Sequence, residues 1–185
     1  FPEDAPAAIP YVTEENQVIK DVAEWQKYVK VPDLAGKCSE GWEEALEAKS
    51  RIDQEKYLTM VVMGTGIFEQ LHMLMTFEDT LMNFLLEPEA MHELIDVICE
   101  YRLTYMKLVV ENLHPDCIVS HDDWGAKDSL FMSPEVWREF FKEPYRKLYD
   151  YLHSQGVIVM HHADSYLEPI VEDMAEIGVD IWQGV

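Results

Sequence analysis

Hydrophobic positions along this chain follow two different periods. Tyr57-Leu-Thr-Met-Val-Val-Met63, Asp116-Cys-Ile-Val-Ser120 and Val157-Ile-Val-Met160 are short, nearly unbroken apolar runs. Such runs predict strands of a parallel sheet buried on both faces. Val179-Asp-Ile-Trp-Gln-Gly-Val185 reads as a fourth. Between them the apolar residues recur every three or four positions, the period of an amphipathic helix. One helix is predicted near Ile67 to Met75. A second starts at Glu87-Pro88-Glu89 and carries Met91, Leu94, Ile98, Tyr101, Tyr105 and Leu108 to about Leu113. Ser133-Pro-Glu135 supplies an N-cap and a first-turn proline for a third, with Trp137, Phe140, Phe141, Tyr145, Leu148, Tyr149 and Leu152 on one side. Pro144 should kink or restart that helix, and Gly156 ends it. Leu167 to Ile177 is a fourth, closed by Gly178.

Residues 1–56 read differently. Pro2, Pro6 and Pro10 among Ala and acidic residues predict an extended lead-in over 1–16. Val18, Val22, Trp25 and Val29 predict a short helix that Val31-Pro32 ends, and Trp42 to Ile52 repeats the pattern more weakly. The division expected is therefore an N-terminal extended and helical section, 1–56, followed by an α/β section, 57–185.

From residue 57 the order is strand, helix, strand, helix, strand, helix, strand, and the crossovers are long enough to make the strands parallel. Half of a (β/α)8 barrel and an open doubly wound sheet both fit, and the missing dinucleotide fingerprint favours the barrel. Gly64-Thr-Gly66 lacks the third glycine and the Lys-Ser/Thr of a phosphate loop, so it reads as a turn. The chain opens without an initiator Met and stops at a strand with nothing after it to cover it, which points to a piece of something longer. Half a barrel alone is expected to be inactive without the other half or a second copy in a homodimer.

Charge narrows the partners. With 36 Asp and Glu against 14 Lys and Arg, the net charge of -22 would repel nucleic acid and anionic membrane surfaces. Cys38, Cys99 and Cys117 are odd in number and share no metal-binding spacing, so reduced thiols and a cytoplasmic setting are expected. No apolar run approaches the roughly 18 residues of a membrane span.

Two strand ends carry the candidate chemistry: His121-Asp-Asp-Trp-Gly125 and His161-His-Ala-Asp164. Strand alternation sends His162 and Asp164 to one face and His161 to the other. His162 with Asp164 suits a metal ion, or a base with its orienting partner, or a hydrogen-bonded pair that ties down the loop. Asp122 and Asp123 are candidate catalytic acids, of which one is expected to reach substrate while its neighbour caps a turn. His121 and His161 are candidate substrate contacts, as is Trp124, which alternatively sits in the core. His92 and His114 read as helix-end or surface histidines.

At these residues the chain resembles the uroporphyrinogen decarboxylase superfamily, and within it the corrinoid-linked methyltransferases. Ser133-Pro-Glu135, Pro144-Tyr145, Ile177-Gly-Val-Asp180, Asp21 to Trp25 and Pro32-Asp33-Leu34 carry the same likeness. The resemblance implies a (β/α)8 barrel of about twice this length. It also implies methyl transfer between a small methylated donor and a corrinoid held by a separate protein, assisted by zinc. His162 matches the superfamily's zinc histidine, and Asp164 stands where a cysteine is usual, which makes a harder N/O site and favours a methoxy or methylamine donor over a thiol acceptor. Porphyrinogen decarboxylation is the rival activity, and a barrel that has lost its site is the rival without one. True decarboxylases use an arginine-rich N-terminal motif to hold a polycarboxylate, and this chain has only Arg51, Arg102, Arg138 and Arg146.

Overall fold

The structure is a computed structural model and describes residues 12–34 and 41–184. The proline-rich lead-in up to residue 11, Cys38 and Val185 lie outside the described residues. Four parallel strands, β1 (Met60–Met63), β2 (Cys117–His121), β3 (Ile158–His162) and β4 (Ile181–Gln183), pair in sequential order. Each crossover is helical: α2 (Ile67–Leu74), α3 (Phe77–Leu86) and α4 (Pro88–Leu113) follow β1; α5 (Pro134–Trp137) and α6 (Glu143–Ser154) follow β2; α7 (Val171–Glu176) follows β3. This is the α/β arrangement of a partial (β/α) barrel, with α1 (Glu43–Ser50) ahead of it.

Strand register sorts the side chains into two sheets of contacts. Val61, Ile118 and Val159 lie side by side, as do Met63, Ser120, His161 and Trp182. These face the helices, and Met63, Ile118, Val159 and His161 are buried. On the opposite face Val62, Val119, Met160 and Ile181 form one row, and His121, His162 and Gln183 the next, at the C-terminal edge. That second face lies open, with Met60, Val62 and Ile181 exposed. It is the side that turns inward when such a sheet closes into a barrel.

Helix α4 is the main buttress. Its first-turn Pro88 needs no N–H partner, and His114 closes it in the left-handed region with φ 43°. Met91, Leu94, Ile95, Ile98, Met106 and Val109 line its buried stripe. Each such side chain contributes roughly 1.5–3 kcal/mol relative to exposure.

Several elements depart from the sequence expectation. The first helix is a 3-10 turn, Val22–Lys27, capped by Asp21, whose Oδ1 accepts from Ala23 N at 3.0 Å. Leu74 O accepts from both Val18 N and Ile19 N, which docks this segment on α2 and takes up the donors a longer helix would need. β1 starts at Met60, three residues late, because Thr59 turns its N and Oγ1 to Asp116 Oδ2 while Tyr57 and Leu58 stay exposed. α3 was not anticipated; Thr76 caps it by accepting from Asp79 N at 3.0 Å. Pro144 acts upstream of itself: residues Arg138–Lys142 form a π turn between α5 and α6. The wider turn accommodates a proline that can neither donate to the carbonyl four residues back nor pack against it closely. The last helix is split into a 3-10 turn, Glu168–Ile170, and α7.

Candidate functional site at the C-terminal edge of the sheet

Consecutive residues at the end of β2 part company. His121 lies on the open face, while Asp122 is fully buried on the helix side. The Asp122 carboxylate caps the start of α2 from across the sheet. Its Oδ2 accepts from Phe68 N (3.0 Å), Trp124 Nε1 (2.9 Å) and Tyr145 OH (2.5 Å), and its Oδ1 from Glu69 N (2.9 Å). Burial pushes this carboxyl upward, and the donors, Tyr145 first, pull it back. Gly66 supplies no cap of its own because there is no room for one. A Cβ there would fall 2.1 Å from Asp122 Cβ.

His161 shares that interior. Its ring stacks on Trp124 at 4.1 Å, Nδ1 lies 2.9 Å from Tyr149 OH, and Nε2 lies 3.2 Å from Asp122 O. A carbonyl only accepts, so Nε2 carries the proton and Nδ1 receives the phenol's. Burial lowers its pKa to about 3, which keeps the ring neutral. Trp124 is fully buried against Trp137 and Tyr145.

Three expectations are corrected by these placements. Asp122, a candidate catalytic acid, is a buried helix cap with both carboxylate oxygens engaged. His161 and Trp124, candidate substrate contacts, are core residues with no exposed surface. Of the two aspartates it is Asp123 that remains accessible.

The residues left at the open edge are Glu69, His121, Asp123, His162, Asp164 and Gln183. Both histidines are oriented by a partner at Nδ1: His121 by Glu69 Oε2 at 3.1 Å, and His162 by Gln183 Oε1. Each Nε2 then faces a carboxylate across a gap too long for a hydrogen bond. His121 Nε2 is 3.9 Å from Asp123 Oδ2, and His162 Nε2 is 3.8 Å from Asp164 Oδ2. The two rings stack at 4.8 Å, as side-by-side register partners should. Asp164 N donates to Asp123 Oδ1 at 3.0 Å, which ties the two strand-end loops together. One ligand atom from each of Glu69, His121 and Asp123 lies within 4.8 Å of the other two, so these three can hold a metal ion.

The uroporphyrinogen decarboxylase (URO-D) family profile matches residues 3–183. The chain belongs to the URO-D family. A search of curated proteins found no match. Among the described residues of this URO-D family chain, no helix is long and apolar enough to cross a membrane.

Glu69 and Gln183 were not singled out from the sequence. Glu69 is the third residue of α2, where its Oε2 reaches back to Gly66 N at 3.0 Å, half of a capping box. The signal available was its position in the first turn of the helix after β1, on the C-terminal side of the sheet where His121 and His162 end their own strands.

Proposed function

We propose that this URO-D family chain takes part in methyl transfer between a small methylated donor, of methoxy or methylamine type, and a corrinoid carried by a partner protein. The observation that carries this reading is the charge of the open edge. Glu69, His121, Asp123, His162, Asp164 and Gln183 include no cation of the Lys or Arg type, and three are acidic. Each arginine is engaged elsewhere: Arg51 with Glu47, Arg102 in the interior with Thr65 O, Arg138 with Asp173, and Arg146 with Glu143 and Glu176 O. A tetrapyrrole bearing many carboxylates would meet repulsion at such an edge, whereas a small neutral or cationic methyl donor would not.

His162 and Asp164 are assigned to zinc or, directly, to the donor's heteroatom. The donor set fits: with Nδ1 held by Gln183, the His162 Nε2 is the free ligand nitrogen, and Asp164 adds a mostly exposed carboxylate beside it. Zinc bound there would supply Lewis acidity toward the heteroatom that bears the methyl group. Asp123, held by Asp164 N, is placed to donate a proton or hydrogen bond to the departing heteroatom. A cleft of about 1010 Å³ opens beside Asp164 and is lined by Lys127, Tyr166, Trp182 and Arg138, the last neutralised by Asp173, giving the donor's remainder a place to lie.

The test is methyl transfer from methoxylated and methylamine donors to cob(I)alamin, with uroporphyrinogen decarboxylation run in parallel. His162→Ala should cut transfer by about 100-fold or more with the far-UV circular dichroism unchanged. Undiminished transfer, or CO₂ release from uroporphyrinogen, would overturn the reading.

A further inference from the structure

Around His121 the negative charge is not balanced. Glu69 and Asp123 both lie against it, and among the described residues no Lys or Arg pairs with either. Glu69 is the most enclosed of the three ligand candidates, its side chain only 13% exposed against 28% for His121 and 37% for Asp123. A buried carboxylate without a countercharge is costly, and a bound cation removes that cost.

We propose that Glu69, His121 and Asp123 form a divalent-cation site of their own, one strand over from His162 and Asp164. The three donors come from three different elements, α2, β2 and the loop after it, so the fold rather than local sequence brings them together. Glu69 gives up its hydrogen bond to His121 Nδ1 when it turns to the ion, and Asp123 is steadied by Asp164 N. One nitrogen and two carboxylate oxygens select Zn²⁺, Mn²⁺ or Fe²⁺ over thiophilic ions. Donors at about 2.1 Å from a tetrahedral ion stand roughly 3.4 Å apart, so a separation of up to 4.8 Å closes on binding by small side-chain rotations. The ion would neutralise the edge on the β1–β2 side, leaving His162, Asp164 and Gln183 to the methyl donor, and with Asp123 bound to it a water on the ion would take over the proton donation assigned to Asp123 above. What the ion does rests on the function proposed above; that it binds does not.

The site is tested by binding, without turnover. The purified full chain, stripped with chelator, is titrated with Zn²⁺ and then with Co²⁺, read by calorimetry and by the visible absorption of Co²⁺. Glu69→Gln and Asp123→Asn keep an oxygen for Gly66 N and Asp164 N, so both should fold, as checked by circular dichroism. The expected result is one ion per chain in His162→Ala, where any zinc held by His162 is removed, with affinity about 10- to 100-fold weaker when Glu69→Gln, Asp123→Asn or His121→Ala is combined with it. No ion bound by the folded chain would overturn the proposal. Binding lost in His162→Ala, with or without loss in the others, would overturn it as well, since the ion would then belong to His162. Neither result would by itself remove methyl transfer, which is read by the separate assay.

Discussion

Replacing Asp122 by Asn changes one atom's charge and hydrogen-bonding sense while keeping the volume. With the amide oxygen at the Oδ2 position, Phe68 N, Trp124 Nε1 and Tyr145 OH still have an acceptor, now a neutral one. The amide nitrogen then faces Glu69 N, donor against donor. One buried donor left unsatisfied costs about 1–3 kcal/mol, and each charge-assisted bond made neutral loses a further fraction. Against this, the variant no longer buries a charge, the effect that raises the Asp122 carboxyl. The net loss is about 3 kcal/mol. Urea unfolding followed by far-UV circular dichroism measures it, and amide exchange locates it, with Phe68 and Glu69 losing protection first. A midpoint equal to the wild type's, with exchange at Phe68 and Glu69 unaltered, would refute the view that Asp122 caps α2.

Further outcomes follow from the same interior. Gly66→Ala should cost about 2–4 kcal/mol although its φ of -67° suits any residue, because the new Cβ meets Asp122 Cβ at 2.1 Å; a Gly66→Ala, Asp122→Gly double variant, which removes that Cβ, should lose less than the two single effects combined. His161 remains neutral down to about pH 3, whereas the unfolded chain protonates it near pH 6.5. Its contribution is complete above pH 6.5 and is lost as pH falls toward 3, so the stability advantage of wild type over His161→Gln should narrow by about 3 kcal/mol between pH 7.5 and 4.5. Parallel pH profiles for the two proteins would remove that role. Burial pushes the Cys99 thiol up to about 11, so iodoacetamide at pH 8 should modify Cys99 only in urea, as peptide mass mapping would show.

Strand alternation was readable from the sequence, and it separated His161 from His162 correctly, because a period of two depends on nothing but backbone geometry. The four parallel strands and the long helix from Pro88 were readable for a related reason: each carries its own period and its own caps. The partners of Asp122 were not. Phe68 and Glu69 lie more than fifty residues away and Tyr145 twenty-three, so which of two adjacent acids turns inward is decided by packing. Glu69 escaped notice for the same reason, being 52 residues from His121. α3 was hidden because only Met75 and Thr76 separate it from α2, with neither Gly nor Pro to mark the break.

Adjacent positions on these strand ends therefore carry unequal mutational freedom. Residues 120, 122 and 161 hold the scaffold, and 121, 123, 162 and 164 project from it. A combinatorial library that randomises the second set and freezes the first would sample new ligand specificities on an intact framework. The opposite library would mostly return unfolded protein.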